Sequence, residues 1–365
     1  MVGQYIQESD LLRSSFECNF INLSTSKQLR DIGKGGYSKI ISCINLYCKV
    51  LLSIIKKRYD LYYLTINSKG NGFYKDFVIV ILLKLFDRKI IYHYHNKGIT
   101  EGQDKWWLNI LYRFQFRNSW VILLSPLLYE EVAKYLPKEN VFYCANGIPE
   151  IKGINLDFIN SKRAAKAIPE ALFLSNMMKE KGVFTLLKAC KFLYSKGIKF
   201  KMVFIGGWIN INESEFNEFV LLNNLQENVF YEGKKYGTDK SAYFENANIF
   251  VFPTHNEVFG LVNLEAMQFG LPIISTREGG IPDIVSENET GYLVEKQDAK
   301  ELADKLEILI ENPDIRKRMG IAAKIKFDEF FKIGVFENNL KKILEIVIKE
   351  NKRKNFWKNH VDKSV

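Results

Sequence analysis

The chain has 365 residues, 47% of them hydrophobic and only 26% charged, enough apolar material for two α/β domains with sizeable cores and too little polarity for a disordered chain. A formal charge of +10 suits phosphorylated ligands or an anionic membrane surface, whereas the cations are spread along the chain and form no nucleic-acid-binding motif. The five cysteines, an odd number with no C-x-x-C pair, argue against a disulfide frame or a zinc site, and the longest apolar run, "FVIVILLKLF", is too short to span a bilayer.

Residues 1–16 read as a helix with Val2, Tyr5, Ile6 and Leu12 as its apolar stripe, and the first strand is expected at "CNFINLS", from Cys18. A doubly wound half normally opens with a strand and a glycine-bearing turn. The helix-first order leaves two readings: a fold variant, or a Met1 that is an internal methionine of a longer product, the chain being truncated or degenerate in its first half. Further strand candidates are "LYYLTI", "KIIYHYH", "WVILLS" and "VFYCAN", then "ALFLSN", "FKMVFIGG", "NVFYEG", "NIFVFPT" and "PIIST", separated by segments long enough for crossover helices. This order predicts an α/β protein with two parallel, doubly wound sheets, whose ligands lie outside the carboxyl ends of the strands. A turn at "NGIP" and weak strand character up to Pro169 place the boundary between domains spanning 1–150 and 165–330; 331–365 is helical and is expected to pack back towards the first domain.

Within the first domain, "DKWWLNILYRFQFRNSW" is expected to be a helix packing on the sheet through Trp107, Ile110, Leu111 and Phe114, with Lys105, Arg113 and Arg117 away from that stripe. Trp106 with those cations, and the basic tail around Phe356 and Trp357, also suit peripheral contact with a lipid interface. His93 and His95, two apart at a strand end, point to one face. A histidine in a sheet is more often a hydrogen-bonded structural group than a ligand, and no third metal ligand stands near this pair.

The most informative stretch is "HNEVFGLVNLEAMQFGLPII", residues 255–274. A buried strand ends near Pro253, Glu257 follows in the loop, and a helix begins near Gly260 with Glu265 on its second turn. The first N–H groups of that helix have no intrahelical partners and carry partial positive charge, which suits phosphate, and Gly260 lets a ligand approach the backbone. Glu265 is placed to accept hydrogen bonds from a ribose, Glu257 from a group beyond the phosphates. Two isolated glutamates would be ordinary solvated groups; a strand end, a loop acid, a glycine turn and an acid inside an apolar helix together point to a nucleotide diphosphate-sugar.

The segment resembles the E-x7-E signature of the retaining family 4 glycosyltransferases, which have the two-domain GT-B fold, and the likeness continues through "GLPIISTREGGIPDIVSENETGYLVEKQDAKELADKL". The resemblance implies that Glu257 contacts the donor sugar and Glu265 the ribose, with backbone near Phe259, Gly260, Leu261 and Val262 along the sugar and phosphates. In "SNMMKEKG" it implies that Lys181 and Gly182 serve the diphosphate. Asn176 stands where the family commonly has arginine, which brings Lys179 in as a substitute cation. "YEG", with Glu232 and Gly233, resembles the element near the nucleobase, and His95 matches the family histidine facing the donor sugar. The resemblance makes the 165–330 domain the donor domain and 1–150 the acceptor side. The implied activity is transfer of a sugar to a glycan or lipid-linked glycan in cell-surface polysaccharide synthesis, in the cytoplasm or at the inner face of the membrane. With no D-x-D in the sequence, no metal or cofactor is expected. The competing readings are a GT-B sugar-nucleotide epimerase and a chain that binds the nucleotide-sugar without efficient transfer.

Overall fold

A computed structural model of the chain describes residues 2–24 and 37–361, with the side chains of residues 3–24 and 39–350. The chain forms two compact units, Met1–Ala145 with Phe336–Val365, and Asn146–Val335.

The first unit carries four parallel strands, β1 (Tyr62–Leu64), β2 (Ile90–His93), β3 (Ser119–Leu123) and β4 (Val141–Tyr143), in the spatial order β1-β2-β3-β4. Central β2 and β3 are buried along their whole length, as expected of strands covered on both faces. Helices Gly70–Leu85 and Trp106–Phe116 lie in the crossovers between consecutive neighbours and pack against each other; right-handed connections put both on one face of this sheet.

The strand expected at the amino-terminal end is corrected here. Among the described residues no strand precedes Tyr62: "CNFINLS" is irregular and largely exposed, and Asn19 there hydrogen-bonds Ser53 on helix Tyr37–Lys56 instead of a ladder partner. The described part of this sheet accordingly has consecutive order with no reversal, and β1 is an edge strand. Before "CNFINLS" lie two helices, Val2–Glu8 and Asp10–Ser15, the second capped by Ser9, whose hydroxyl accepts from the Leu12 amide.

Helix Trp106–Phe116 buries the opposite face from the one expected. Leu108, Tyr112, Gln115 and Phe116 are inside, while Trp107, Ile110 and Phe114 face out. Both faces are apolar, so periodicity could not choose between them. Packing does: the Tyr112 hydroxyl donates to the Ser68 carbonyl at 2.7 Å, and Phe116 packs between Tyr92 and Tyr135.

The second unit contains six parallel strands, β5 (Glu170–Leu174), β6 (Lys201–Ile205), β7 (Val229–Tyr231), β8 (Ile249–Phe252), β9 (Ile273–Thr276) and β10 (Gly291–Val294). Their order is β10-β9-β8-β5-β6-β7. The chain winds outward from β5 to β7, returns to the other side of β5, and winds outward again through β10. The order reverses between β5 and β8, the topological switch point of a doubly wound sheet. β10, from "GYLV", was not among the expected strands; its ladder with β9 is what defines it.

Arg163, buried on helix Leu156–Ala164, holds this unit together beneath the sheet ends. Its guanidinium donates to the carbonyls of Phe244 (2.8 Å) and Glu245 (3.1 Å) at the end of helix Gly237–Asn246, and of Phe269 (2.9 Å) after helix Leu261–Gln268. Terminal helix carbonyls lack intrahelical partners and carry partial negative charge, so one buried cation satisfies two helix ends. Burial lowers the Arg163 pKa to about 10, which leaves it charged at neutral pH. Arg163→Met should strand these carbonyls and destabilise the second unit by about 3 kcal/mol. Denaturant unfolding followed by amide exchange within residues 146–335 would show it; an unchanged midpoint would mean that water replaces the guanidinium without loss.

Candidate functional site

The loops at the carboxyl ends of β5 and β8 are stitched together. After β5 comes a tight turn, Lys179–Lys181, then Gly182, then helix Val183–Ser195. Gly182 has φ +78°, and a Cβ there would lie 1.9 Å from the Pro253 carbonyl oxygen at the end of β8. No other residue fits both constraints. The His255 amide donates to the Glu180 carbonyl at 2.7 Å, and the Thr254 hydroxyl donates to the same oxygen at 3.2 Å.

This stitching brings Lys181 to Glu257. The ammonium lies 2.8 Å from Glu257 Oε2 and 3.1 Å from the Asn256 carbonyl, with both side chains only 21% exposed. The other carboxylate oxygen accepts from the Val258 amide at 3.0 Å. The "REGG" segment supports the loop from behind. Glu278, buried and paired with Lys296 at 2.8 Å, accepts from the Glu257 amide at 3.4 Å, and the Gly280 amide donates to the Val258 carbonyl at 2.7 Å. Gly279, at φ +55°, lies so close that a Cβ would stand 2.4 Å from the Glu257 carbonyl oxygen.

Helix Leu261–Gln268 follows directly. Its N-cap, Gly260, has φ +85°. Phe259 and Asn263 are buried, Leu261 and Val262 half-buried. Neither polar atom of the Asn263 side chain has a hydrogen-bond partner among the described residues. Glu265, the fifth residue of the helix, pairs through Oε1 with Lys240 at 2.9 Å. Lys240 sits on helix Gly237–Asn246, twenty-five residues earlier, and was not an expected site residue. No spacing rule links two separate helices, so no sequence signal marked it. Glu278 was quoted within the motif but given no role.

The remaining positions divide. Glu232 accepts from the Tyr243 hydroxyl at 3.0 Å, Gly233 has φ +71°, and Trp208 lies against Tyr231 with ring centroids 4.2 Å apart, so the ends of β6 and β7 present an aromatic pair beside "YEG". Asn176 is exposed beyond β5. The Lys179 ammonium lies 4.0 Å from Glu215, so its ion pair is with a different element from the one that engages Lys181.

His93 and His95 belong to the first unit. Their rings lie 4.2 Å apart, in line with a shared face, and His93 Nδ1 is 2.6 Å from the Tyr63 hydroxyl. Both ring nitrogens of His95 are buried without a partner among the described residues. Burial depresses both histidines, His95 to about 4, so both are neutral at pH 7. The side chains of Phe356 and Trp357 lie outside the described residues.

Residues 157–326 match the model of a family described as "Glycosyl transferases group 1". Over 182 residues the chain is 31% identical to the capsular polysaccharide biosynthesis glycosyltransferase CapM of Staphylococcus aureus, covering 50% of this chain and 47% of that one, so it spans about half the length of that curated relative. Over 272 residues it is 26% identical to the N-acetyl-alpha-D-glucosaminyl L-malate synthase of Bacillus anthracis, covering 72% of this chain and 69% of that one. Among solved structures it is similar to Anabaena Alr3699/HepE in complex with UDP, with TM-score 0.69, 18% identity and 82% of each chain covered. A glycosyltransferase from Rickettsia africae aligns with TM-score 0.65, 16% identity, and 87% and 84% of the two chains covered. The fold is the GT-B fold, an α/β architecture of two units with parallel sheets.

The buried histidines set a pH dependence. A histidine of folded pKa about 4 against 6.5 unfolded stabilises the fold fully above the unfolded value, and that stability is lost as pH falls towards the folded one. Between pH 7.5 and pH 5, His95 alone should withdraw about 2 kcal/mol. Thermal melts across that range should show a smaller fall for His95→Asn than for the natural sequence; parallel curves would mean that the ring titrates normally in the folded protein.

Proposed function

We propose that the chain is a retaining, family 4 glycosyltransferase that moves a sugar from a nucleotide diphosphate-sugar to a glycan or lipid-linked glycan acceptor. The observation that carries this reading is the Lys181–Glu257 pair at the switch point, immediately before a glycine-started helix that bears Glu265 on its second turn. The relatives named for glycosyl transfer, and the UDP bound by a protein of the same fold, support it. The donor unit is the one spanning Asn146–Val335.

In this reading the diphosphate lies at the start of helix Leu261–Gln268, over Gly260 and the N–H groups that follow, with Lys181 as its cation. Two glutamates in an anion site would repel the donor. Each is paired with a lysine, Glu257 with Lys181 and Glu265 with Lys240. Donor binding is then an exchange of partners: Lys181 turns from Glu257 to the diphosphate, which frees Glu257 to accept from sugar hydroxyls. Glu265 keeps Oε1 on Lys240 and offers Oε2 to the ribose.

In the chemical step the bond between the anomeric carbon and the diphosphate oxygen breaks, and the acceptor oxygen bonds to that carbon on the same face, as retention requires. The acceptor hydroxyl gives up its proton to the departing diphosphate oxygen, on which negative charge grows as the bond breaks. Lys181 and the helix amides already face that charge, so no reorganisation is needed as it appears. His95, neutral and with both ring nitrogens unpartnered among the described residues, is assigned by the family resemblance alone as a hydrogen-bonding group for the sugar. Charge stabilisation by these groups makes the reaction metal-independent, and activity should survive chelation. Exposed free Cys18 and Cys48 fit a reducing compartment, and we place the reaction in the cytoplasm, at the inner membrane face.

Glu265→Ala should weaken nucleoside diphosphate binding by roughly one to two orders of magnitude, the value of a hydrogen bond to a charged group. Glu257→Ala should leave that affinity near its original value and suppress transfer. Calorimetry with the free nucleotide, beside a transfer assay, separates the two roles; equal loss of nucleotide binding in both variants would merge them. Lys181→Ala should lower turnover by about 10²–10³-fold, and turnover at the original rate would remove Lys181 from the chemistry. Isomerised donor formed with no acceptor present would replace transfer by epimerisation.

A further inference from the structure

Helix Tyr37–Lys56 is apolar on two opposite sides. Leu46, Val50 and Ile54 are buried, and across the helix from them Ile40, Ile41, Ile44, Leu52 and Ile55 are each more than half exposed. A helix of a soluble domain normally presents a polar face to water. Here the exposed stripe is bordered by Lys49 and Lys56, and the helix contains no acidic residue.

Helix Trp106–Phe116 repeats the pattern. Its buried side is Leu108, Tyr112 and Phe116; its outward side carries Trp106 (71% exposed), Trp107, Ile110 (56% exposed) and Phe114, with exposed Arg113 among them; exposed Arg117 follows its last residue and exposed Asp104 precedes its start. It too contains no acid. The two helices flank a third, Gly70–Leu85. The Tyr47 hydroxyl donates to the Lys75 carbonyl at 3.1 Å on one side, and the rings of Phe77 and Phe114 meet at 5.8 Å on the other. That middle helix ends in Leu85, which is 75% exposed. The three lie side by side in the first unit and form one helical layer.

From this layer we infer a docking face for an anionic lipid surface. Three features select that occupant. The exposed apolar rows are interleaved with cations and, on the two outer helices, with no acid, so the face complements a negative plane of headgroups. Two exposed tryptophans beside two arginines match the interfacial region, where an aromatic body inserts and a cation stays among phosphates. A second copy is a poor occupant, because a two-fold contact would bring these cations against themselves. Among the described residues no helix is long and apolar enough to cross a membrane, so the contact is with the surface. This deepens the membrane-face part of the functional reading by naming the face, and its test reads lipid binding rather than sugar transfer.

The test is co-sedimentation of the full chain with vesicles of phosphatidylcholine alone and of phosphatidylcholine mixed with phosphatidylglycerol, at low and high salt. Binding is expected to the mixed vesicles and to fall with salt. Arg113→Glu with Arg117→Glu, and separately Trp106→Ser with Ile110→Ser, should each lower the partition by at least about tenfold. All four side chains are exposed, so the variants should melt as the parent does. Ile321→Ser with Ile325→Ser, exposed on the second unit, should bind as the parent does. The inference is overturned by absence of binding, by equal binding to both vesicle types, by variants that bind like the parent, or by loss in the second-unit control. A dimer in light scattering that the first-unit variants dissociate, with no vesicle binding, would overturn it in favour of self-association.

Discussion

The organisation of the second unit rests on the contact between Gly182 and the Pro253 carbonyl, where β5 and β8 lie side by side and the sheet reverses its winding. At a switch point the loops leaving neighbouring strands turn to opposite faces of the sheet, and a crevice opens between them. Here the crevice is narrowed until two backbones touch. A left-handed glycine is the one residue that fits, and the amide of His255 closes the contact from the other side. Once that spacing is fixed, Lys181 has Glu257 within hydrogen-bond reach, and helix Leu261–Gln268 starts at the same edge.

Charge balance follows from the same geometry. The two acids of the site are held by lysines from different elements, one from the turn after β5 and one from helix Gly237–Asn246. The second pair depends on how two helices lie against each other. Arg163 controls that placement from the far end, because its guanidinium joins the terminal carbonyls of the helices that carry Lys240 and Glu265. A buried cation at the far end of both helices thus positions the half-buried Lys240–Glu265 pair. Half-burial also gives these pairs more weight than surface pairs, since solvent screens them less.

The first unit concentrates its unusual features on its sheet and its helical layer. Among the carboxyl ends of its strands, His93 and His95 are buried, neutral and incompletely hydrogen-bonded, a costly state in an interior unless a partner group completes it. On its helical layer, apolar side chains remain in water although the same helices bury other apolar side chains against the sheet. Both features place a cost on the isolated unit that ligand or surface contact would relieve.

Much of this was legible in the sequence. Nine of the ten described strands coincide with apolar runs bounded by turn residues, because a strand buried on both faces needs such a run whatever surrounds it. The stretch from Glu257 to Glu265 announced a strand end, a glycine turn and a helix, since each depends on its own few residues. The misreadings have a different origin. "CNFINLS" has the composition of a strand but is not paired in a ladder, and a strand is defined by its neighbour as much as by itself. The helix at Trp106 has two apolar faces, and only the shape of the sheet beneath chose Tyr112 and Phe116 over Trp107 and Phe114. Lys240 and Arg163 carry no local signature, because their partners lie on other elements. The sequence by itself determined which segments become strands and helices and which backbone positions require glycine, because these are properties of short stretches. The tertiary structure decided strand order, the buried face of each helix and the partner of each charge, because those depend on segments far apart in the chain competing for the same space.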